Sequence, residues 1–208
     1  MNFSRVPLSV ALAAGAASFV MTLAACGSDA HTSASSASSA ARTPSPTVTA
    51  PTPAASTCPM AAPPDGSAAD WTLSGDTGSI AVTGSTDTAA PQVTVDAPFS
   101  VAETQVHTLR AGDGPVVAAD ATVSVCYMGV DGRDGAVFDS SYQRGVPADF
   151  PLNRVVPGFQ KAIAGQKVGS TVAVAMASAD GYPEGQPAAG IQKGDSLVFA
   201  IKILSASN

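Results

Sequence analysis

Between Leu23 and Trp71 the chain contains no Leu, Ile, Phe, Tyr or Trp. Within that gap, 26 of the 31 residues from 27 to 57 are Ser, Thr, Ala or Pro. Such a stretch cannot bury enough apolar surface to offset the entropy lost on ordering it. It reads as a flexible stalk, and any packed core has to come from the residues that follow it. Those residues suffice for one ordinary domain and are too few for two large ones. Gly (19) and Pro (16) are abundant and only 12% of residues are charged, which argues against a helical bundle and for a β-rich domain. Sixteen acids against ten bases give a net charge of −6, so no nucleic-acid partner is expected. Three Cys are too few for a disulfide scaffold or a structural zinc site. The two His, His31 in the stalk and His107 on an alternating run, have no partner at metal-ligand spacing. No metal or cofactor is expected, and no Ser–His–acid arrangement points to a hydrolase.

Residues 1–25 carry one basic residue, Arg5, followed by an uncharged, mostly apolar run. The run is rich in Ala, Gly and Ser and contains Pro7, which makes it a marginal membrane span and a good signal peptide. It ends in Leu23-Ala24-Ala25-Cys26-Gly27-Ser28, which resembles the lipobox of bacterial lipoproteins. That resemblance implies cleavage before Cys26 and lipidation of its thiol, with palmitate among the expected acyl chains. The mature chain would then be anchored through Cys26 at the extracytoplasmic face of the cell membrane. The alternative is an ordinary secretory signal with a coincidental Cys. Removing residues 1–25 takes away Arg5 and no acid, so the remaining chain is more acidic and electrostatic attraction to anionic lipid is not expected. Thr43-Pro44-Ser45-Pro46-Thr47 is either an O-glycosylation site or an unmodified part of the 26–58 linker.

Residues 59–99 hold two alternating runs, Ser79–Thr83 and Gln92–Val95, punctuated by Gly84, Pro91 and Pro98. They predict a short β extension of the main domain, since some 40 residues rarely fold alone. In 100–208, strands are predicted around Phe99–Leu109, Thr122–Tyr127, Ala136–Asp139, Thr171–Met176 and Ser196–Leu204, with a hairpin loop at Asp131–Gly135. Pro157 at a first-turn position and the Phe159, Ala162, Ile163 stripe predict one short helix, stopped at Gly165. The fold class is α+β, an antiparallel sheet wrapped on one short helix. In an oxidising compartment Cys58 and Cys126 either pair, pinning the extension across the back of the sheet, or stay as two unpaired thiols.

Several motifs occur in order: Val125-Cys126-Tyr127-Met128-Gly129, Val137-Phe138-Asp139-Ser140-Ser141, Val155-Val156-Pro157-Gly158-Phe159, Lys167-Val168-Gly169-Ser170, Gly181-Tyr182 and Leu197-Val198-Phe199. Together they resemble the FKBP-type peptidyl-prolyl cis/trans isomerases over about residues 100–205. The resemblance implies a rotamase acting on Xaa-Pro bonds of polypeptides, with no cofactor, possible inhibition by macrolides, and a monomeric state. Tyr127, Phe138, Val155, Val156, Ile191 and Phe199 would line a proline pocket floored by Phe159. The Val156 N–H would bind a substrate carbonyl, and the Tyr182 hydroxyl another. Asp139, oriented by Tyr127 and Arg144, would sit at the rim and polarise the twisting amide. Four features depart from the family pattern, the first being a hairpin loop after Tyr127 that is one residue longer. Phe159 stands where many members have Trp. A wall aromatic falls at Ala148, so that wall is missing or supplied by Phe150. The Leu152–Val155 stretch is short. These departures keep a second reading in view, a weakly active or inactive binding or chaperone module of the cell envelope. A third is an envelope interaction protein that uses residues 59–99.

Overall fold

The structure, a computed structural model, describes residues 57–207. The predicted signal peptide, Cys26 and the predicted linker before Thr57 lie outside the described residues. Among the described residues no helix is long and apolar enough to cross a membrane.

Three strands come first, β1 (Trp71–Ser74), β2 (Thr77–Thr83) and β3 (Gln92–Ser100), in an antiparallel sheet of order β1-β2-β3. The second sheet contains β4 (Gln105–Arg110), β5 (Thr122–Asp131), β6 (Val137–Ser140), β8 (Thr171–Met176) and β9 (Leu197–Ser207), in order β4-β8-β9-β5-β6. A further strand, β7 (Ala148–Pro151), pairs with the first half of β5, from Thr122 to Val125. Among the described residues there are two α-helices, α1 (Ser141–Arg144), a single turn, and α2 (Pro157–Ile163), beside three short 3-10 turns.

The single strand predicted from Phe99 to Leu109 is two strands. β3 ends at Ser100 and β4 begins at Gln105, because here the chain passes from one sheet to the other. The crossing is held by the Val101 N–H donating to Ser196 Oγ (3.1 Å) and the Ala177 N–H donating to Thr104 Oγ1 (3.1 Å). The α1 turn was not predicted either; its Ser-Tyr-Gln-Arg sequence has no apolar periodicity. The predicted helix over Pro157–Ile163 is present. Beyond it Gly165 takes a left-handed φ of 81° and donates its N–H to Val117 O (2.9 Å).

Alternate residues of the central strands feed two cores. Val172, Val174 and Met176 of β8, Leu197, Phe199, Ile201 and Ile203 of β9, and Val123, Val125 and Tyr127 of β5 face α2. Ala173, Ala175, Val198, Ala200 and Val130 face the other way and pack under Ile80, Val82 and Phe99 of the three-stranded sheet. A sheet covered on both faces needs apolar residues at every position, which is why β8 is buried throughout. The small Ala residues on the back face let the second sheet come close. On the front, a Cβ at Gly158 would lie 2.5 Å from the Met176 side chain, so a larger residue there would force Met176 to shift.

The Ile80 side chain is 2% exposed in the back-face core. Ile80→Ala should cost about 2–4 kcal/mol. Urea unfolding should remain one transition, followed alike by far-UV circular dichroism and by fluorescence of Trp71 in β1. A separate, earlier Trp71 transition would mean that the three-stranded sheet is not part of the same cooperative unit.

Candidate active site

The pocket is built where β5, β6 and β9 pass in front of α2. Tyr127 and Phe199 point forward from β5 and β9, which are paired antiparallel. Gly129 lies opposite Phe199, and a Cβ there would sit 2.6 Å from Phe138 Cζ and 2.8 Å from Phe199 Cε1. The missing side chain is what lets these two rings meet edge to face, with centroids 5.5 Å apart. Phe159, on the first turn of α2, packs edge-on to Tyr127 (6.0 Å), Phe150 (5.6 Å) and Phe199 (5.4 Å). Such edge-to-face pairs are favoured by the ring quadrupoles and fix each ring by its neighbours.

These rings enclose an open cavity of about 380 Å³, lined by Tyr127, Phe138, Asp139, Val155, Val156, Phe159, Tyr182 and Phe199, and also by Phe150 and Arg154. All the predicted lining residues are there except Ile191, which is buried in the same core as Phe159 and Phe199. Of the two alternatives for the wall near Ala148, Phe150 of β7 supplies it, edge-on to Tyr127 at 5.6 Å. Arg154 was not singled out in the sequence; its position directly before Val155-Val156 was the available signal.

A polar cluster closes one side of the mouth. The Tyr127 hydroxyl donates to Asp139 Oδ2. Arg144 Nη1 donates to Asp139 Oδ1 (2.5 Å) and Nη2 to the Tyr127 hydroxyl (3.2 Å). The guanidinium carbon lies 5.9 Å from the Tyr127 ring centroid, within cation–π range. Burial works against ionisation of Asp139, but the hydrogen bonds from Tyr127 and Arg144 outweigh it and hold the carboxyl below its ordinary range. Burial first, and then the hydrogen bond to that carboxylate, push the Tyr127 phenol up to about 12. At neutral pH the cluster is therefore a carboxylate, a neutral phenol and a guanidinium. Asp139 has one further, partly exposed face toward the cavity.

On the opposite side, the Val156 carbonyl accepts from the N–H groups of Phe159 (3.0 Å) and Gln160 (3.2 Å) as α2 begins. Tyr182 follows the 3-10 turn Ser178–Asp180 and completes the lining. Behind the site, Cys126 is bonded to Cys58, with Cα atoms 5.7 Å apart. Among the described residues no group of His, Cys, Asp and Glu is arranged to hold a metal.

An antiparallel sheet wrapped on a short helix, with an aromatic cavity between them and a carboxylate at its lip, defines a class of binding fold for small apolar groups. Residues 114–204 match the family model described as FKBP-type peptidyl-prolyl cis-trans isomerase. The chain is 33% identical over 117 residues to the "Probable FK506-binding protein" of Corynebacterium glutamicum, covering 56% of this chain and 98% of that one. It is 37% identical over 100 residues to the "FKBP-type 22 kDa peptidyl-prolyl cis-trans isomerase" of Escherichia coli, covering 48% of each. It is 33% identical over 101 residues to "Outer membrane protein MIP" of Legionella longbeachae, covering 49% of this chain and 43% of that one. The chain thus spans nearly the whole of the first relative and about half of the other two. It belongs to the FKBP-type peptidyl-prolyl cis-trans isomerase family.

Tyr142, on α1, is also pushed up to about 12, by burial. Both phenols have a folded pKa above the ordinary value of 10.0, so folding favours their neutral forms. That stability is fully present below pH 10 and is lost as the pH rises from about 10 toward about 12. Spectrophotometric titration at pH 10, where an ordinary tyrosine is half ionised, should find Tyr127 and Tyr142 still protonated. Tyr127→Phe should remove one late step. A Tyr127 that ionises at the ordinary pH would break the hydrogen-bonded cluster described here.

Proposed function

We propose that the chain accelerates rotation about Xaa-Pro bonds of extracytoplasmic polypeptides, working from a lipid anchor on Cys26. The observation that carries the catalytic part is the aromatic cavity with the Asp139–Tyr127–Arg144 cluster at its mouth. The barrier to peptide rotation is about 18–20 kcal/mol, because rotation breaks amide resonance. No nucleophile is needed to lower it. A dry pocket that takes the proline ring removes the solvent that favours the planar, polar amide. Hydrogen bonds made only to the twisted form then lower the barrier, and about 4 kcal/mol corresponds to about a thousandfold.

In this reading the proline ring rests on Phe159, between Phe138, Phe199, Tyr127, Phe150 and Val155. The Val156 N–H donates no backbone hydrogen bond among the described residues and so is free to donate to a substrate carbonyl. The Tyr182 hydroxyl donates to the carbonyl next to proline. The Asp139 carboxylate polarises the amide as it twists. Arg144 keeps that carboxylate ionised and aimed. A macrolide that fills the same apolar cavity would inhibit. The binding-module alternative rested partly on a missing wall, and Phe150 lines that wall. The anchor rests on Leu23-Ala24-Ala25-Cys26. The name of the Legionella relative supports a place in the envelope.

The direct test is cis/trans exchange of an Xaa-Pro peptide by NMR, with the full chain. The wild type should accelerate exchange. Asp139→Ala should lower the acceleration by about tenfold or more. Tyr182→Phe should lower it by about threefold to tenfold, the worth of one hydrogen bond. A folded wild type with no acceleration would leave only the binding module. For the anchor, Cys26→Ser expressed in a bacterium should move the protein from the membrane pellet to the soluble fraction, and unchanged partition would refute lipidation.

A further inference from the structure

The polar side of the pocket mouth depends on α1, because Arg144 is its last residue. A single turn of helix has almost no stability of its own. Its geometry is set by what grips it, and three grips are visible. Ser141 Oγ accepts the Tyr127 N–H at 2.8 Å. The Tyr142 hydroxyl donates to Ser85 Oγ at 2.9 Å, with both side chains buried. The Cys58 N–H donates to the carbonyl of Gly145, the residue after Arg144, at 3.1 Å. The Cys58 sulfur, bonded to Cys126, also lies 3.4 Å from Ser141 Oγ. Two of the three grips therefore come from Cys58 and Ser85, which precede the family-matched segment 114–204.

We propose that Cys58 and Ser85 are positioning residues for the isomerase site. By fixing both ends of α1 they hold the Arg144 guanidinium against Asp139 and Tyr127. The inference rests on the catalytic reading given above. Three groups hydrogen-bond Asp139, Tyr127 from β5, Arg144 from α1 and the backbone N–H of Ser140, while Arg154 and Tyr182 line the same cavity. The extension touches the elements of both side-chain donors, β5 through the Cys58–Cys126 bond and α1 through the Ser85 and Cys58 contacts, and only Arg144 rides on a single helical turn that those contacts hold. Loss of the Ser85–Tyr142 hydrogen bond frees α1 to turn, and Arg144 moves with it.

The test uses the full chain and two variants that remove the same hydrogen bond from opposite ends, Ser85→Ala and Tyr142→Phe. The second keeps the buried ring. Each should lower kcat/KM for Xaa-Pro exchange by about fivefold. In an Arg144→Ala background neither should lower it further, because the path to the site is already cut. Carbon-13 NMR titration of the Asp139 carboxyl should show its midpoint rising toward the ordinary carboxylate value in both variants. An equal fall in both backgrounds, or an unchanged Asp139 midpoint, would reduce these grips to structural contacts and overturn the proposal. An inactive wild type would instead remove the catalytic reading, and the carboxyl titration would still decide whether the extension positions Arg144.

Discussion

The β8–β9–β5 ladder is buried on both faces, and this burial governs everything else in the molecule. Through the middle of these strands the apolar residues alternate between two cores, and a slip of one residue would exchange them. Phe199 and Ile201 must go forward while Val198 and Ala200 go back. The front core ends in the pocket, so the pocket's shape is an outcome of strand register. Tyr127 and Phe199 reach the cavity because β5 and β9 are paired as they are. Gly129, opposite Phe199, leaves the space that Phe138 needs. An apolar cavity made this way is held by the whole sheet and not by a loop, as a site that must exclude water requires.

The polar side of the mouth obeys different physics. The side chains of Asp139 and Arg144 are 41% and 48% exposed, and an ion pair that open to solvent contributes about 0–1 kcal/mol to stability. The fold does not need it. What the pair does is fix the direction of the carboxylate. One oxygen is taken by Tyr127 and the other by Arg144, both as donors. An unpaired aspartate at such an edge would turn freely and be hydrated. The neutral state of Tyr127 matters for the same reason, because only a protonated phenol can donate to Asp139.

Much of this was legible in the sequence, and the exceptions have physical causes. The front-facing residues showed themselves through alternation in Thr122–Tyr127 and through the i, i+3, i+4 stripe at Phe159, Ala162 and Ile163. The motif order then brought Tyr127, Phe138, Asp139, Val155, Val156, Phe159, Tyr182 and Phe199 to one place, and they line one cavity. Ile191 is not among the residues that line the cavity, and it packs with Phe159 and Phe199 in the same core. The break between β3 and β4 was invisible, because Val101–Thr104 differs little in polarity from the strands on either side. The α1 turn was invisible for another reason. Two of the partners that set its geometry, Ser85 and Cys58, lie 57 or more residues away, and local periodicity carries no trace of them. Ala173, Ala175 and Ala200 were a signal that went unread: small residues repeating on one face of paired strands are what a second sheet needs for close approach.

The cystine lies where these two kinds of physics meet. It closes a loop of 68 residues, which in the chain-entropy description contributes about 4 kcal/mol by restricting the unfolded chain. A cross-link from Cys58 to any other back-face residue of β5 would do nearly as much. Cys126, however, is the residue before Tyr127, and Cys58 lies against both ends of α1 through Ser141 Oγ and the Gly145 carbonyl. The covalent tie therefore lands between the strand that carries the phenol and the turn that carries the guanidinium. Those are the two donors that aim Asp139, and the cystine adds a covalent tie to the β5–β6 and β5–β7 ladders that flank α1. Stability alone would not select that position, whereas control of the distance between Tyr127 and Arg144 would.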